Sequence, residues 1–329
     1  MERYVRASAL WLALCTTLTT GGCKLEKIAA DSTVKVAEAG ALGFNGFWDY
    51  EIFGQAVPGA ILQSEALVRI SPNNENLLTG LAKTYVVYAY GWLSAEWEDA
   101  DQRGDFEAAD ELEKRIRLLY ERSSHLALRV VHRHDREGRL EQVLATKKVD
   151  ELKAYLTRVY KDKDDVPGLY WAGLAWGSMM ANSGGDLNVL ADAPLARAML
   201  ERSVELEPGF ADAGALGVLG TVEGAFPEIF GGDLGRSKAY YDRALEVCKR
   251  RNQLILLSYA KTYAVGKQDR ELFVALLTEI LTAPDQGDDI RMNNKVAQVR
   301  AKRYLKRVDE WFPPPLPSDE AASAPSAKK

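Results

Sequence analysis

Between Pro208 and Leu245 the chain reads PGFADAGALGVLGTVEGAFPEIFGGDLGRSKAYYDRAL. A proline opens it, and small residues then recur at helical spacing (Ala213, Leu216, Gly217, Gly220). A break falls at Gly231-Gly232-Asp233, where glycine allows a turn and Asp233 is placed to cap the next helix. The pattern restarts with Ser237, Tyr241, Ala244 and Leu245 on one face. This spacing predicts a helix, a turn and a second helix, packed closely because glycine and alanine line the first. One such hairpin cannot bury its own apolar face, so it has to stack on others.

Further hairpins are visible. Leu169 to Met180 (LYWAGLAWGSMM) reads as a helix in which Trp171, Leu174 and Ala175 follow the W-x2-L-G-type opening of a tetratricopeptide-type repeat, with alanine at the glycine position. Its second helix carries Ala196, Leu200 and Ser203, and Pro208 closes the unit. The string Gly-Gly-Asp-Leu occurs at 184–187 and again at 231–234, and Ala-Lys-Thr-Tyr occurs at 82–85 and 260–263. After the second of these, Gly266 supplies a turn, Leu272 and Leu276 a partner helix, and Pro284 the closure. Nearer the start, Ala56 to Ile70 and Leu77 to Trp97 read as helices separated by Ser71-Pro72-Asn73-Asn74. Leu112 to Val131 and Glu141 to Tyr160 follow, and Ile290 to Phe312 is an amphipathic helix that caps the array. Strand patterns are absent. The expected fold is all-α, a tetratricopeptide-like array of helical hairpins with about 10–12 helices.

The two ends differ from the body. Arg3 and Arg6 precede an apolar run, Ala7 to Leu18, and Gly21-Gly22-Cys23 follows. That is the layout of a secretory signal, and small residues directly before a cysteine match a bacterial lipoprotein box in which Cys23 is acylated. The apolar run is short for a membrane span. Lys24 to Gly43 reads as a linker with loose helical periodicity, expected to carry the body away from the membrane surface. The chain from Pro313 (PPPLPSDEAASAPSAKK) has the composition of a disordered tail. Of three cysteines, Cys15 lies in the signal and Cys23 would carry lipid, which leaves Cys248 with no internal disulfide partner.

Candidate chemistry is sparse. The net charge of −5 argues against a nucleic-acid partner, and no basic stripe interleaved with aromatics is present. The sequence contains no nucleophile elbow, phosphate loop, zinc spacing or Cys/His pair. The acidic run from Glu96 to Glu111 reads as a solvated face. Of the three histidines, His132 and His134 are two apart and fall on different sides of a helix, so no metal site and no cofactor are expected. The aromatics are a better lead. Tyr85, Tyr88, Trp92, Trp171 and Trp176 lie in the opening helices of hairpins, which line the inside of such arrays, and are the candidates for an apolar ligand cleft.

Taken together, the runs AVPGAILQSEALVRISPNNENLLTGLAKTYVVYAYGWL, LYWAGLAWG, ERSVELEPGF, FPEIFGGDLGRSKAYYDRALEV and RMNNKVAQVRAKRYLKRVDEWF resemble the T-component (TatT) family of lipoproteins associated with TRAP transporters. The resemblance runs from about Gly46 to Phe312. It implies a non-enzymatic, tetratricopeptide-like lipoprotein of the bacterial periplasm, anchored in the membrane through lipid, with the outer membrane the expected side. Its implied partners are a TRAP-type solute-binding protein and a small hydrophobic or carboxylate solute; self-association is left open. The domain plan is then a signal peptide (1–22), a lipid-anchored linker (23–45), the helical domain (46–312) and the tail (313–329). The competing reading is a helical-repeat scaffold for envelope protein assembly.

Overall fold

Side-chain caps decide where the helices start. A computed structural model describes residues 25–183, 186–225 and 232–313, and every regular element among them is helical. The signal segment, Cys23, Gly184, Gly185, Gly231 and the tail from residue 314 lie outside the described residues. The chain forms two units, one taken from residues up to Leu216 with Gln286–Met292, the other from Gly217–Asp285 with the residues after Asn293.

The first unit contains α1 (residues 25–39), α2 (Ala41–Asn45), α3 (Tyr50–Ile70), α4 (Glu75–Tyr88), α5 (Ser94–Gln102), α6 (Phe106–Arg133), α7 (Leu140–Ala145), α8 (Val149–Val159), α9 (Val166–Ala181), α10 (Leu187–Leu190) and α11 (Ala193–Leu206). A π turn, Ala89–Leu93, joins α4 to α5 without breaking the helical path. Helix α3 packs on α4, α4 on α6, α6 on α9, and α9 on α11. Packing of each helix on its near neighbours is compatible with a stack of helical repeats.

Helix α12 (Phe210–Ala225) carries the chain into the second unit, which holds α13 (Leu234–Val247), α14 (Gln253–Tyr259), a second π turn (Ala260–Ala264), α15 (Arg270–Thr282), most of α16 (Arg291–Lys306) and α17 (Val308–Trp311). Here α13 packs on α14 and α14 on α15. A Cβ on Gly220 would lie 3.0 Å from the Tyr241 ring, so glycine is what lets α12 and α13 approach.

The caps explain the boundaries. Asp49 accepts the Ile52 N–H at 2.9 Å, Asn74 that of Leu77 at 3.0 Å, Asp105 that of Ala108 at 3.3 Å and Asp269 that of Leu272 at 2.9 Å. Each such cap contributes roughly 1 kcal/mol. The Asp49 cap starts α3 ahead of the expected Ala56 and leaves Pro58 inside the helix. The expected helix from Glu141 to Tyr160 is instead two, because the backbone turns left-handed at Lys147 (φ 54°). The helix read from Pro208 onward also departs from a straight rod. Its residues Ala211, Asp212 and Ala213 sit at φ 50°, 50° and 61°, a conformation costing roughly 1–2 kcal/mol per L residue.

The stretch read as a linker is helical and packed. In α1, Ala30 and Val34 are buried, and Asp31 accepts hydrogen bonds from Ser71 Oγ at 2.6 Å and Asn74 Nδ2 at 2.8 Å. Asn74 thus caps α4 with its oxygen and holds α1 with its amide nitrogen.

Candidate functional site

The aromatic candidates lie on two helical paths of the first unit. Tyr85 and Tyr88 are on α4, Trp92 is in the π turn that prolongs it, and Trp171 and Trp176 are on α9. Helices α4 and α9 pack together, but among the described residues no ring contact joins the two aromatic sets.

Trp92 is a wall residue. Its ring stacks on Tyr50 (centroids 4.8 Å apart, 19° between planes) and on Phe53 (5.4 Å, 21°). Its indole N–H donates to the Tyr50 carbonyl at 3.2 Å, and the Tyr50 hydroxyl donates back to the Gly91 carbonyl at 2.5 Å. In a π turn the backbone bonds run i→i+5, so carbonyls are offset from the α pattern and free to meet side chains. Gly54 lies directly opposite, and a Cβ there would fall 2.1 Å from Trp92 Nε1.

Tyr85 is buried against a charged pair. Its hydroxyl donates to Glu65 Oε1 at 2.8 Å, and Arg122 grips the same carboxylate through two bonds, of 2.7 and 2.6 Å. The Arg122 hydrogen bonds hold Glu65 below the usual carboxylate range, although partial burial opposes them. Burial, and then the bond to Glu65, pushes the Tyr85 phenol up to about 12. The arrangement ties α3, α4 and α6 together, as a bidentate pair does well. On α9, Trp171 is buried with its ring edge-on to Tyr170 (4.7 Å, 70°), which meets Phe210 in the same way (5.4 Å, 71°). Tyr88 and Trp176 are half-buried, and burial raises the Tyr88 phenol.

Two charged sites lie outside the residues that the sequence singles out for a ligand. Burial lowers the Lys83 ammonium pKa, and its Nζ reaches a neutral acceptor, Asn45 Oδ1, at 3.3 Å. His134 is bracketed by two carboxylates, with Nδ1 at 2.8 Å from Asp165 and Nε2 at 3.0 Å from Glu75. Burial works against the imidazolium, but the two carboxylates prevail and raise its pKa. A signal for the Glu65 site exists in sequence: Ile61, Glu65 and Val68 share one helical stripe, so the glutamate falls in phase with the buried residues. The bracket around His134 gives no such signal, because its partners are 59 and 31 residues away.

In the second unit Asp233 caps α13 by accepting the Arg236 N–H at 2.9 Å; Gly232 is buried, and Gly231 lies outside the described residues. Tyr241 stacks on Tyr259 (4.7 Å, 17°), and its hydroxyl lies 2.9 Å from Thr221 Oγ1 and 2.7 Å from Thr262 Oγ1. A surface depression of about 530 Å³ opens at the start of α15, lined by Tyr263, Lys267, Gln268, Asp269, Arg270 and Glu271. Its lining mixes charged tips with apolar stems, and none of the five aromatic candidates borders it. Among the described residues no group of three His, Cys, Asp or Glu side chains is placed to hold a metal ion.

The model of the family described as TRAP transporter T-component matches residues 48–312. The chain belongs to that family. A protein of Treponema pallidum (strain Nichols), described only as uncharacterized, is 25% identical over 328 residues, covering 91% of this chain and 96% of its own length. The match to the T-component family spans α3 to α17 and leaves α1 and α2 ahead of it. A T-component is part of a TRAP transport system, which places the work of this one in the cell envelope. The family is one of transport components and not of enzymes. No helix among the described residues of this T-component is long and apolar enough to cross a membrane.

Proposed function

We propose that this T-component is a periplasmic lipoprotein, attached to the outer membrane through Cys23, that docks the solute-binding protein of a TRAP-type transporter. The family match over residues 48–312 carries the reading. The tetratricopeptide-like repeats inferred from the sequence support it, since stacked helical hairpins present extended surfaces for protein partners. The transported solute is small and hydrophobic or carboxylate-bearing. Its candidate contacts are the half-buried Tyr88 and Trp176 and the ammonium of Lys83, which faces a neutral acceptor and so suits an anionic group.

A second reading has an observation of its own. Within each unit the aromatics fill the space between helices, and the depression at α15 is bordered by the charged or amide side chains of Lys267, Gln268, Asp269, Arg270 and Glu271 beside Tyr263. That combination suits a protein segment better than an apolar solute, as in a scaffold for envelope assembly. Affinity capture with the detergent-solubilised full chain from a native envelope extract, read by mass spectrometry, separates the two. Stoichiometric recovery of an extracytoplasmic solute-binding protein supports transport. Recovery of assembly machinery without any solute-binding protein refutes it.

A further inference from the structure

Among the described residues twelve large hydrophobic side chains are exposed, and eight of them fall between Leu25 and Leu62. Six of these (Leu25, Ile28, Val36, Leu42, Phe44 and Trp48) are each between 60% and 73% exposed. Monomeric soluble proteins rarely gather so much apolar surface in one stretch unless something covers it.

The geometry of α1 gives this surface a direction. Ala30 and Val34 are one helical turn apart and buried, and Asp31 ties the same helix to Ser71 and Asn74. At 100° per residue, Leu25, Ile28 and Val36 cluster on the opposite side. So α1 is apolar on two faces, one clamped to the rest of the first unit and one bare. The bare face runs the length of a helix of about 22 Å. It continues in sequence through Leu42 and Phe44 of α2 to Trp48.

We propose that this bare face is a membrane-contact surface that seats the first unit flat on a lipid bilayer. The proposal rests on the reading of Cys23 as the acylated residue. Leu25 is two residue steps from Cys23, with only Lys24 between them, a span of about 7 Å at most. A glyceride on Cys23 sits at the headgroup level, so Leu25 is held within that distance of it. A helix that begins there with an apolar outer face lowers its free energy by lying in the interface, where such a face sinks roughly 5–10 Å. Trp48 extends the contact with a residue that favours the same depth, and Phe44 adds exposed apolar surface. The solvent-facing charges of α1 cancel, Lys27 and Lys35 against Glu26 and Glu38, with Asp31 engaged by Ser71 and Asn74. The contact is therefore apolar and needs no anionic lipid. A second copy of the chain is the other cover for such a face, but it would have to reach it within about 7 Å of a headgroup.

The test uses the full chain, purified with its native modification and placed in zwitterionic phosphatidylcholine vesicles. Single cysteines are introduced by Val36→Cys and Phe44→Cys, with Leu118→Cys on α6 as the reference position. Cys248 is buried and does not compete for label. A bimane on each is challenged with nitroxide-bearing lipids. Quenching at 36 and 44 at least about threefold stronger than at 118, unchanged by high salt, is the expected result. Equal quenching at all three positions, in protein that floats with the vesicles and whose Cys23 is acylated by mass spectrometry, overturns the proposal. So does a disulfide or cross-link between two copies at position 36 together with lipid-inaccessible labels. A Cys23 without acyl chains overturns the anchoring on which the proposal depends, and mass alone tells that outcome from the others.

Discussion

Two glycines in α3 should respond in opposite ways to the same added methyl group. At Gly54 a Cβ would lie 2.1 Å from Trp92 Nε1 and 2.3 Å from Cδ1. No rotation of the helix relieves that, so Trp92 has to leave its place between Tyr50 and Phe53. The move strains the packing by about 1–3 kcal/mol and forfeits a hydrogen bond to the Tyr50 carbonyl worth about 0.5–1.5 kcal/mol. It also loosens two ring stacks, each contributing about 0.5–1.5 kcal/mol. Alanine returns only about 0.5–1 kcal/mol through better helix propensity. The net for Gly54→Ala is a loss of about 1.5–7 kcal/mol, the upper end applying only if both stacks are lost outright. At Gly59, an exposed position of the same helix, a Cβ meets nothing within 4 Å. Gly59→Ala should therefore stabilise by about 0.5–1 kcal/mol. Urea unfolding of both variants, followed by Trp fluorescence and circular dichroism, reads the pair. If Gly54→Ala is neutral or stabilising, Trp92 is not stacked against that glycine. If Gly59→Ala destabilises instead, the helix is not regular beyond Pro58.

Other consequences concern charge and capping. His134 has a raised pKa in the folded protein, so its contribution is complete below its ordinary value of 6.5 and fades as pH rises through the folded value; Glu75 has a lowered one, so its contribution is complete above 4.5 and fades as pH falls. Stability from this bracket is greatest between those two ordinary values. His134→Gln should cost about 2 kcal/mol near pH 5.5 and less near pH 9, and equal urea midpoint shifts at the two pH values would contradict it. Glu65→Gln should lower the titration of Tyr85 from about 12, yet leave it above the ordinary 10 because burial is the larger cause, as ring carbon NMR shifts can follow. Asp233→Ala removes the cap of α13 and should destabilise the second unit by about 1 kcal/mol, whereas Asp233→Asn should restore most of it; matching losses in the two variants would show that the capping bond is immaterial.

The helical character of the chain was legible in sequence because it rests on local physics. Apolar spacing and capping residues act within one or two turns, and Asp233 caps where its sequence context puts it. Boundaries were read less well where a single residue outweighed the pattern. Asp49 extends α3 backwards past Pro58, and Lys147 turns left-handed and splits a charged helix. A helix at α1 was visible as loose periodicity, but its bare outer face was not. Nor was its burial on the other side, because Ser71 and Asn74, which hold Asp31, lie 40 and 43 residues away.

The candidate site was less legible for the same reason carried further. The tetrapeptide Ala-Lys-Thr-Tyr is identical at 82–85 and 260–263, and the two copies have different surroundings. In the first, the tetrapeptide lies in α4 ahead of its π turn, and Tyr85 meets Glu65 and Arg122. In the second, the tetrapeptide is itself within the π turn Ala260–Ala264, and Lys261 Nζ lies over the rings of Trp311 at 4.0 Å and Tyr304 at 4.8 Å. Lys83 Nζ instead reaches the side-chain amide of Asn45. Local sequence sets the helix and the identity of the polar tip. What that tip meets is set by residues tens of positions away. A cation already covered by two rings is satisfied within the fold, whereas one facing a neutral amide keeps capacity for an anion. Of the two copies of the tetrapeptide, the first is therefore the one in which a ligand would have something to gain.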